Sequence, residues 1–326
     1  MLAKRIIPRL DVTEGRLTRA PGNEELVEND PVELSRFYDA AGADEILLYD
    51  RGETSDRSIR FEELVEKVTK AVFLPLIAGG GVSSPAQIRS LLRAGADRVL
   101  LQSHALRHPE FLQAAVERFG AERILLSIEV VRRRTAVVSP STSASETAHV
   151  PGTSDSGSAS GEDFLVVCDG GKRVTDRKAL KWAAAGSAVG VGEILVTSLD
   201  RAETKLGFDL PLIREVSSHV DVPLLVGGGA GSVEHFVELF TTTTVAGAVA
   251  SQIFHHRETS IKRVKRQCHA AGVPLRLQVE EVDVHLQGEA AGRLPQIETN
   301  VPTPEGPTAG SDLAEQPSGE ANQEEG

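Results

Sequence analysis

The sequence predicts a (β/α)8 barrel, and three observations point to it. The first is size after subtraction. Residues 278–326 hold eleven acidic residues against one basic, Arg293, a charge of −10, and residues 139–163 hold eight serines and a charge of −4. Segments this polar cannot bury enough apolar surface to fold alone, so we expect a disordered acidic C-terminal tail and a flexible Ser-rich insertion. Taking the 25 residues of 139–163 from 1–277 leaves 252 residues, and removing −10 and −4 from the chain's −12 leaves +2. About 250 residues is the usual size of such a barrel. The second observation is that short β-rich runs alternate with amphipathic stretches, the order that builds a parallel sheet. The third is an internal repeat.

Taken in order, the expected strands are 5–11, 45–50, 74–78, 98–102, 124–129, 193–198, 223–227 and 244–250. Helical patterns lie between them, among them 83–95, 108–120 and 232–240. The run 164–169 reads as an extra hairpin strand beside the Ser-rich insertion. A doubly wound open sheet is the alternative arrangement of the same elements. The barrel is thus expected over 1–277, interrupted at 139–163, with the tail at 278–326.

Other features narrow the class. There is no run of 18 apolar residues to cross a membrane. The N-terminus reaches Asp11 too early to contain the apolar region of a signal peptide. Two cysteines outside any CxxC, Cys168 and Cys268, suggest a reducing cytoplasm and neither a disulfide framework nor a zinc site. The acidic balance weighs against nucleic-acid binding.

The repeat places chemistry at one end of the barrel. PLIAGGGVSS begins at Pro75 and PLLVGGGAGS at Pro223, 148 residues later; DEILLYD at Asp44 and GEILVTS at Gly192 are also 148 apart. IIPRLDV and ILLSIEV set Asp11 opposite Glu129, 118 apart, and the missing 30 residues are about what the insertion and its hairpin supply. A duplicated half-barrel explains all three matches. Active sites of this fold sit at the C-terminal ends of the strands. Asp11 and Glu129, at the ends of opposed strands 1 and 5, suit paired acid–base work, although a strand-end carboxylate is often only a turn residue. The glycine turns (Gly80 and Gly81; Gly228 and Gly229) allow close approach of backbone to a phosphate, while a tight turn explains a single one equally well. Two related turns suggest two phosphate sites. Gln102 and Ser103 after strand 4, and Ser251 and Gln252 after strand 8, would complete them.

The stretches LAKRIIPxLDV, DPVEL (30–34), GADEILLYD, LLRAGAD, GEILVTSLDR, GGAGSVEHF and GVPLRL (272–277) resemble the cyclase subunit (HisF family) of imidazole glycerol phosphate synthase, over 1–277 apart from the insertion. The resemblance implies a TIM barrel and an enzyme of histidine biosynthesis. Its substrate is a phosphoribulosyl aminoimidazole carboxamide ribonucleotide with a phosphate at each end. Ammonia comes through the barrel from a partner glutaminase subunit of the HisH type, and the products are imidazole glycerol phosphate and an aminoimidazole carboxamide ribotide. No metal or organic cofactor is implied. Asp11 carries over as one catalytic aspartate, with Glu129 at the other position, one methylene longer. Arg19, Asp50 and Thr204 carry over as substrate-binding positions. Arg5, Glu45, Arg98 and Glu193 carry over as a charged ring gating ammonia at the barrel floor, with Arg98 for the usual lysine, and Asp97 matches a contact to the glutaminase.

Several positions depart from the family pattern. Arg9 stands where a small cysteine is usual, on the inward face with Asp11. A buried arginine needs a carboxylate partner, and Asp11 and Asp50 are both in reach. Either pairing would hold that carboxylate charged, and Arg9 could also obstruct the ammonia path. The turn usually reading DRDGT is Asp200-Arg201-Ala202-Glu203-Thr204, which loses a glycine and adds a negative charge where a phosphate would sit. Gln252 replaces a serine, Gln102 an asparagine, and Gly227 a serine. These changes motivate an alternative reading: a diverged paralogue taking a different phosphorylated ligand, or lacking cyclase activity.

Overall fold

The computed structural model describes residues 3–18, 30–52, 57–134 and 162–277. The chain runs β1 (Arg5–Thr13), β2 (Arg16–Leu17), α1 (Pro31–Ala40), β3 (Ile46–Asp50), α2 (Arg57–Ala71), β4 (Leu76–Gly79), α3 (Pro85–Arg93), β5 (Arg98–Leu101), α4 (Ser103–Arg107), α5 (Pro109–Phe119), β6 (Ile124–Arg134), β7 (Glu162–Cys168), β8 (Arg173–Lys178), α6 (Ala179–Val189), β9 (Glu193–Ser198), α7 (Leu210–Ser217), β10 (Leu224–Gly227), α8 (Val233–Thr242), β11 (Gly247–Ala250), α9 (Gln252–His255) and α10 (Ile261–Ala270). Eight of these strands pair in parallel in the order β5-β4-β3-β1-β11-β10-β9-β6, and a β5–β6 pairing closes the ring. Closure removes the open doubly wound alternative.

The expected strands all form, with ends shifted by up to three residues except at strand 5. There β6 runs on to Arg134 because it continues into an antiparallel ladder with β7. The expected extra hairpin strand is present as β7, and it has a second partner, β8. Glu162 and Asp163, read from composition as the end of the insertion, instead begin β7 opposite Arg134 and Arg133. The remainder of the Ser-rich insertion, the whole 278–326 tail and Arg19 lie outside the described residues.

The repeat is present in the strand register itself. Asp11 pairs with Tyr49 and Glu129 with Thr197; Tyr49 pairs with Gly79 and Thr197 with Gly227. These are the same positions shifted by 118 or 148. After one inserted residue the match continues at 149, with Gly79–Leu100 answering Gly227–Val249. Side chains alternate across each strand, so the barrel has two apolar layers. The outer one joins strands to helices. The inner one fills the lumen with Ile7, Leu47, Tyr49, Ile77, Leu100, Leu125, Leu195, Leu225 and Val249. Apart from Tyr49, these are four repeat pairs: Ile7 with Leu125, Leu47 with Leu195, Ile77 with Leu225, and Leu100 with Val249.

Helix entries follow local chemistry. Ser84 accepts from the Gln87 amide ahead of Pro85, Asp30 from the Val32 amide ahead of Pro31, and Asp209 from the Leu212 amide ahead of α7, each satisfying an otherwise orphaned amide. Among the described residues no helix is long and apolar enough to cross a membrane.

Candidate active site

Below the apolar inner layer, the four inward side chains at the strand starts close on one another. The Arg5 guanidinium lies 2.9 Å from Glu45 Oε1 and also bonds Glu193, and Arg98 bonds both Glu45 and Glu193. Each arginine bridges both carboxylates, so the ring alternates in charge and is complete. Little water reaches it: the glutamates' side chains are about a tenth exposed. Asp97, beside Arg98, accepts from the Leu76 amide at 2.8 Å, so its carboxylate is already fixing the floor of β4.

Above the layer lies a cavity of about 550 Å³ at the C-terminal ends of the strands. Asp11 and Glu129 both line it, and so does Arg9. Arg9 pairs with Asp11 and not Asp50: its Nε and Nη2 both lie 2.9 Å from Asp11 Oδ1. Its guanidinium stacks on the Tyr49 ring at 4.6 Å. Burial pulls the Arg9 pKa down, but Asp11, Tyr49 and Glu129 outweigh it and hold the guanidinium above its ordinary value. Arg51 reaches the other oxygen of Asp11 at 3.6 Å. Asp11 therefore lies between two guanidiniums, one on each carboxylate oxygen.

Glu129 is in a different setting. It is 4% exposed, and burial pushes its pKa up, with Arg9 and Gln102 pulling the other way. Tyr49 donates its hydroxyl to Gln102 Oε1 at 2.5 Å, which leaves the Gln102 amide nitrogen as the group beside Glu129. Neither that nitrogen nor Glu129 Oε2 completes a hydrogen bond of good geometry among the described residues. Two carboxylates facing one cavity, one ion-paired and one pushed toward its protonated form, divide naturally into proton acceptor and proton donor.

The two glycine turns differ. Gly228 and Gly229 border the cavity together with Ser251 and Gln252. Both carry positive φ, and a Cβ on either would lie 2.4 Å or 2.2 Å from a backbone oxygen, so only glycine fits. Gly80 is equally constrained, a Cβ there meeting the Asp50 carbonyl at 2.1 Å, but Gly80 and Gly81 do not border the cavity. Ser103 accepts from the Asp169 amide at 2.9 Å, which leaves its hydroxyl hydrogen to donate, and Asp169 in turn pairs with Arg107 and Arg173. Asp50 accepts from the Gly52 amide and stands on the outward parity of β3, so it is not brought to Asp11. Thr204 hydrogen-bonds the Arg201 carbonyl and is not in the cavity wall. Its neighbours Ala202 and Glu203 are. Glu203 has φ 64°, the left-handed conformation that favours glycine.

Sequence reasoning missed four groups in the wall: Arg51, Lys205, His255 and His256. Arg51 and Lys205 directly follow a strand-end aspartate and the 200–204 turn, a signal that could have found them. Lys205 pairs with Glu258 at 2.5 Å. His255 sits 2.5 Å from the Tyr38 hydroxyl, and burial pushes its pKa down to about 4 against the pull of Asp11, so it is neutral near pH 7.

A closed eight-stranded barrel with its strand-end carboxylates around a cavity at one end and a charged ring at the other defines a (β/α)8-barrel enzyme of duplicated design. The histidine biosynthesis protein family model matches residues 5–260, and the chain belongs to that family. It is 38% identical over 278 residues to an imidazole glycerol phosphate synthase subunit HisF of Bacillus cereus (strain G9842), covering 85% of this chain and all of that one. A subunit of the same name from Lactiplantibacillus plantarum is 37% identical over 277 residues, with the same coverage.

Proposed function

We propose that this chain is the cyclase subunit of an imidazole glycerol phosphate synthase, a lyase of histidine biosynthesis in the cytoplasm. It would use glutamine-derived ammonia to turn a phosphoribulosyl aminoimidazole carboxamide ribonucleotide into imidazole glycerol phosphate and aminoimidazole carboxamide ribotide. One observation carries the reading: Asp11 and Glu129, repeat counterparts on opposed strands, face the same cavity in unlike surroundings, Asp11 between two guanidiniums and Glu129 buried beside Gln102. Asp11 takes the proton as ammonia condenses and the ring closes; Glu129 supplies one to the departing group. Gly228, Gly229, Ser251 and Lys205 would receive one phosphate, and Gly80, Gly81, Gln102, Ser103 and Arg19 the other. The catalytic unit is residues 1–277, and the ring of Arg5, Glu45, Arg98 and Glu193 is where ammonia enters from a glutaminase subunit docked on the barrel floor.

Purified protein with the authentic ribonucleotide and excess ammonium salt should form imidazole glycerol phosphate; no turnover would end the reading. A second reading, a paralogue with another phosphorylated ligand, is favoured by Arg9 and Arg51 on Asp11 and by Glu203 in the cavity wall. Under it, Arg9→Cys combined with Glu129→Asp would restore cyclase turnover to a protein that lacks it.

A further inference from the structure

We propose that Arg9 is a second closure of the barrel lumen, opened when substrate engages Asp11. The inference rests on the cyclase reading and concerns how ammonia is admitted. The lumen has three levels along its axis. The ring at the floor is ionic, the middle is apolar, and directly above it the Arg9 guanidinium lies across Tyr49 with its nitrogens on Asp11. The middle level passes neutral ammonia and rejects ammonium, because an unpaired charge is costly among apolar side chains. Ammonia leaving it meets Arg9, whose side chain is 12% exposed.

Space at this level suits one long side chain. The repeat counterpart of Arg9 is Ser127, and Gly79 and Gly227 stand on the inward face nearby. A guanidinium this buried cannot stand without an anion, so its position follows whichever anion is available. In this structure that is Asp11. A substrate hydroxyl or amino group donating to Asp11 competes with Arg9 for the same oxygen, and a phosphate of the bound ligand, in the cavity that Arg9 lines with Gly228, Gly229 and Ser251, offers the alternative partner. Occupancy of the cavity thereby shifts Arg9 off the axis, so ammonia is delivered to a filled site.

The test uses the full chain labelled with 15N-arginine and the phosphoribulosyl ribonucleotide without any nitrogen source. The Arg9 Nε–H resonance is identified by its loss in Arg9→Lys. It should move on saturation with ligand, while in Asp11→Asn it is displaced beforehand. Calorimetric binding with an unmoved resonance overturns this proposal alone; absence of binding overturns the cyclase reading with it. In the complex with a glutaminase subunit, Arg9→Ser, which copies Ser127, should raise glutamine consumed per product several-fold at subsaturating ribonucleotide. Because Arg9 also holds Asp11, the ammonium-dependent rate is not the readout; the ratio of glutamine consumed to product formed is. A ratio equal to that of the wild type would overturn the proposal.

Discussion

The two halves of the barrel share a backbone register and divide the work unequally. At the floor the first half supplies Arg5, Glu45 and Arg98, and the second supplies Glu193 alone. Glu45 and Glu193 are counterparts, but the counterpart of Arg98 is Gly247 and that of Arg5 is the exposed Arg123. At the other end the second half opens onto the cavity through Gly228, Gly229 and Ser251, while Gly80, Gly81 and Ser103 of the first half do not border it. Duplication has thus preserved hydrogen-bonded pairing and lumen packing, where both copies face the same physical demand. At the ends, where demands differ, it has kept Glu45 with Glu193 and a carboxylate at 11 and 129, but not the arginines of the floor.

The sharpest test of this division is at the one place where the halves contribute as equals. Asp11→Asn and Glu129→Gln should each lower ammonium-dependent kcat by roughly 10²–10⁴, the usual worth of a positioned acid or base. A loss confined to one of them would leave the other half as scaffold. Next, Arg98→Ala leaves Glu45 and Glu193 sharing Arg5, and stability should fall by about 3 kcal/mol in urea titration. A much smaller loss would mean that the ring is solvated. Ser251→Ala should raise KM for the ribonucleotide by about tenfold, about 1.4 kcal/mol, and Ser103→Ala by less; equal effects would erase the asymmetry at the top.

The smallest effects concern stability. Glu203→Gly should add about 1 kcal/mol by relieving the left-handed conformation and should lower KM by removing a charge from the cavity. Glu129→Gln should stabilise the protein by about 1 kcal/mol at neutral pH, measured by thermal melts. The sign follows from the raised pKa: the protonated wild-type side chain is tolerated at low pH, and its burial costs more as pH rises through the folded value. The difference between variant and wild type should therefore shrink toward pH 4, near the unfolded value.

Much of this was legible in the sequence because it is periodic. Strand positions, the 148-residue repeat and the inward parity of Arg5, Glu45, Arg98 and Glu193 follow from alternation along strands, which needs no tertiary knowledge. The partner of Arg9 was legible by the same rule and was left open: with Glu45 inward, alternation along the strand turns Asp50 outward and leaves Asp11. Composition could not show that Glu162 and Asp163 begin a strand, since acidic residues are poor strand formers and it is pairing with Arg134 and Arg133 that recruits them. The wall residues Arg51 and Lys205 lie in loops and His255 ends the four-residue α9, segments in which no period is long enough to mark which way a side chain points.

Gly247 has a further consequence. A Cβ there would lie 2.9 Å from the Arg5 carbonyl oxygen and 3.0 Å from the Arg5 side chain. Both atoms belong to any residue but glycine at position 5, so it is the close approach of the β1 backbone, and not the guanidinium, that keeps a side chain out of the position answering Arg98. A return to a symmetric floor would therefore need β1 and β11 to move apart where they pair, and not merely an exchange of side chains.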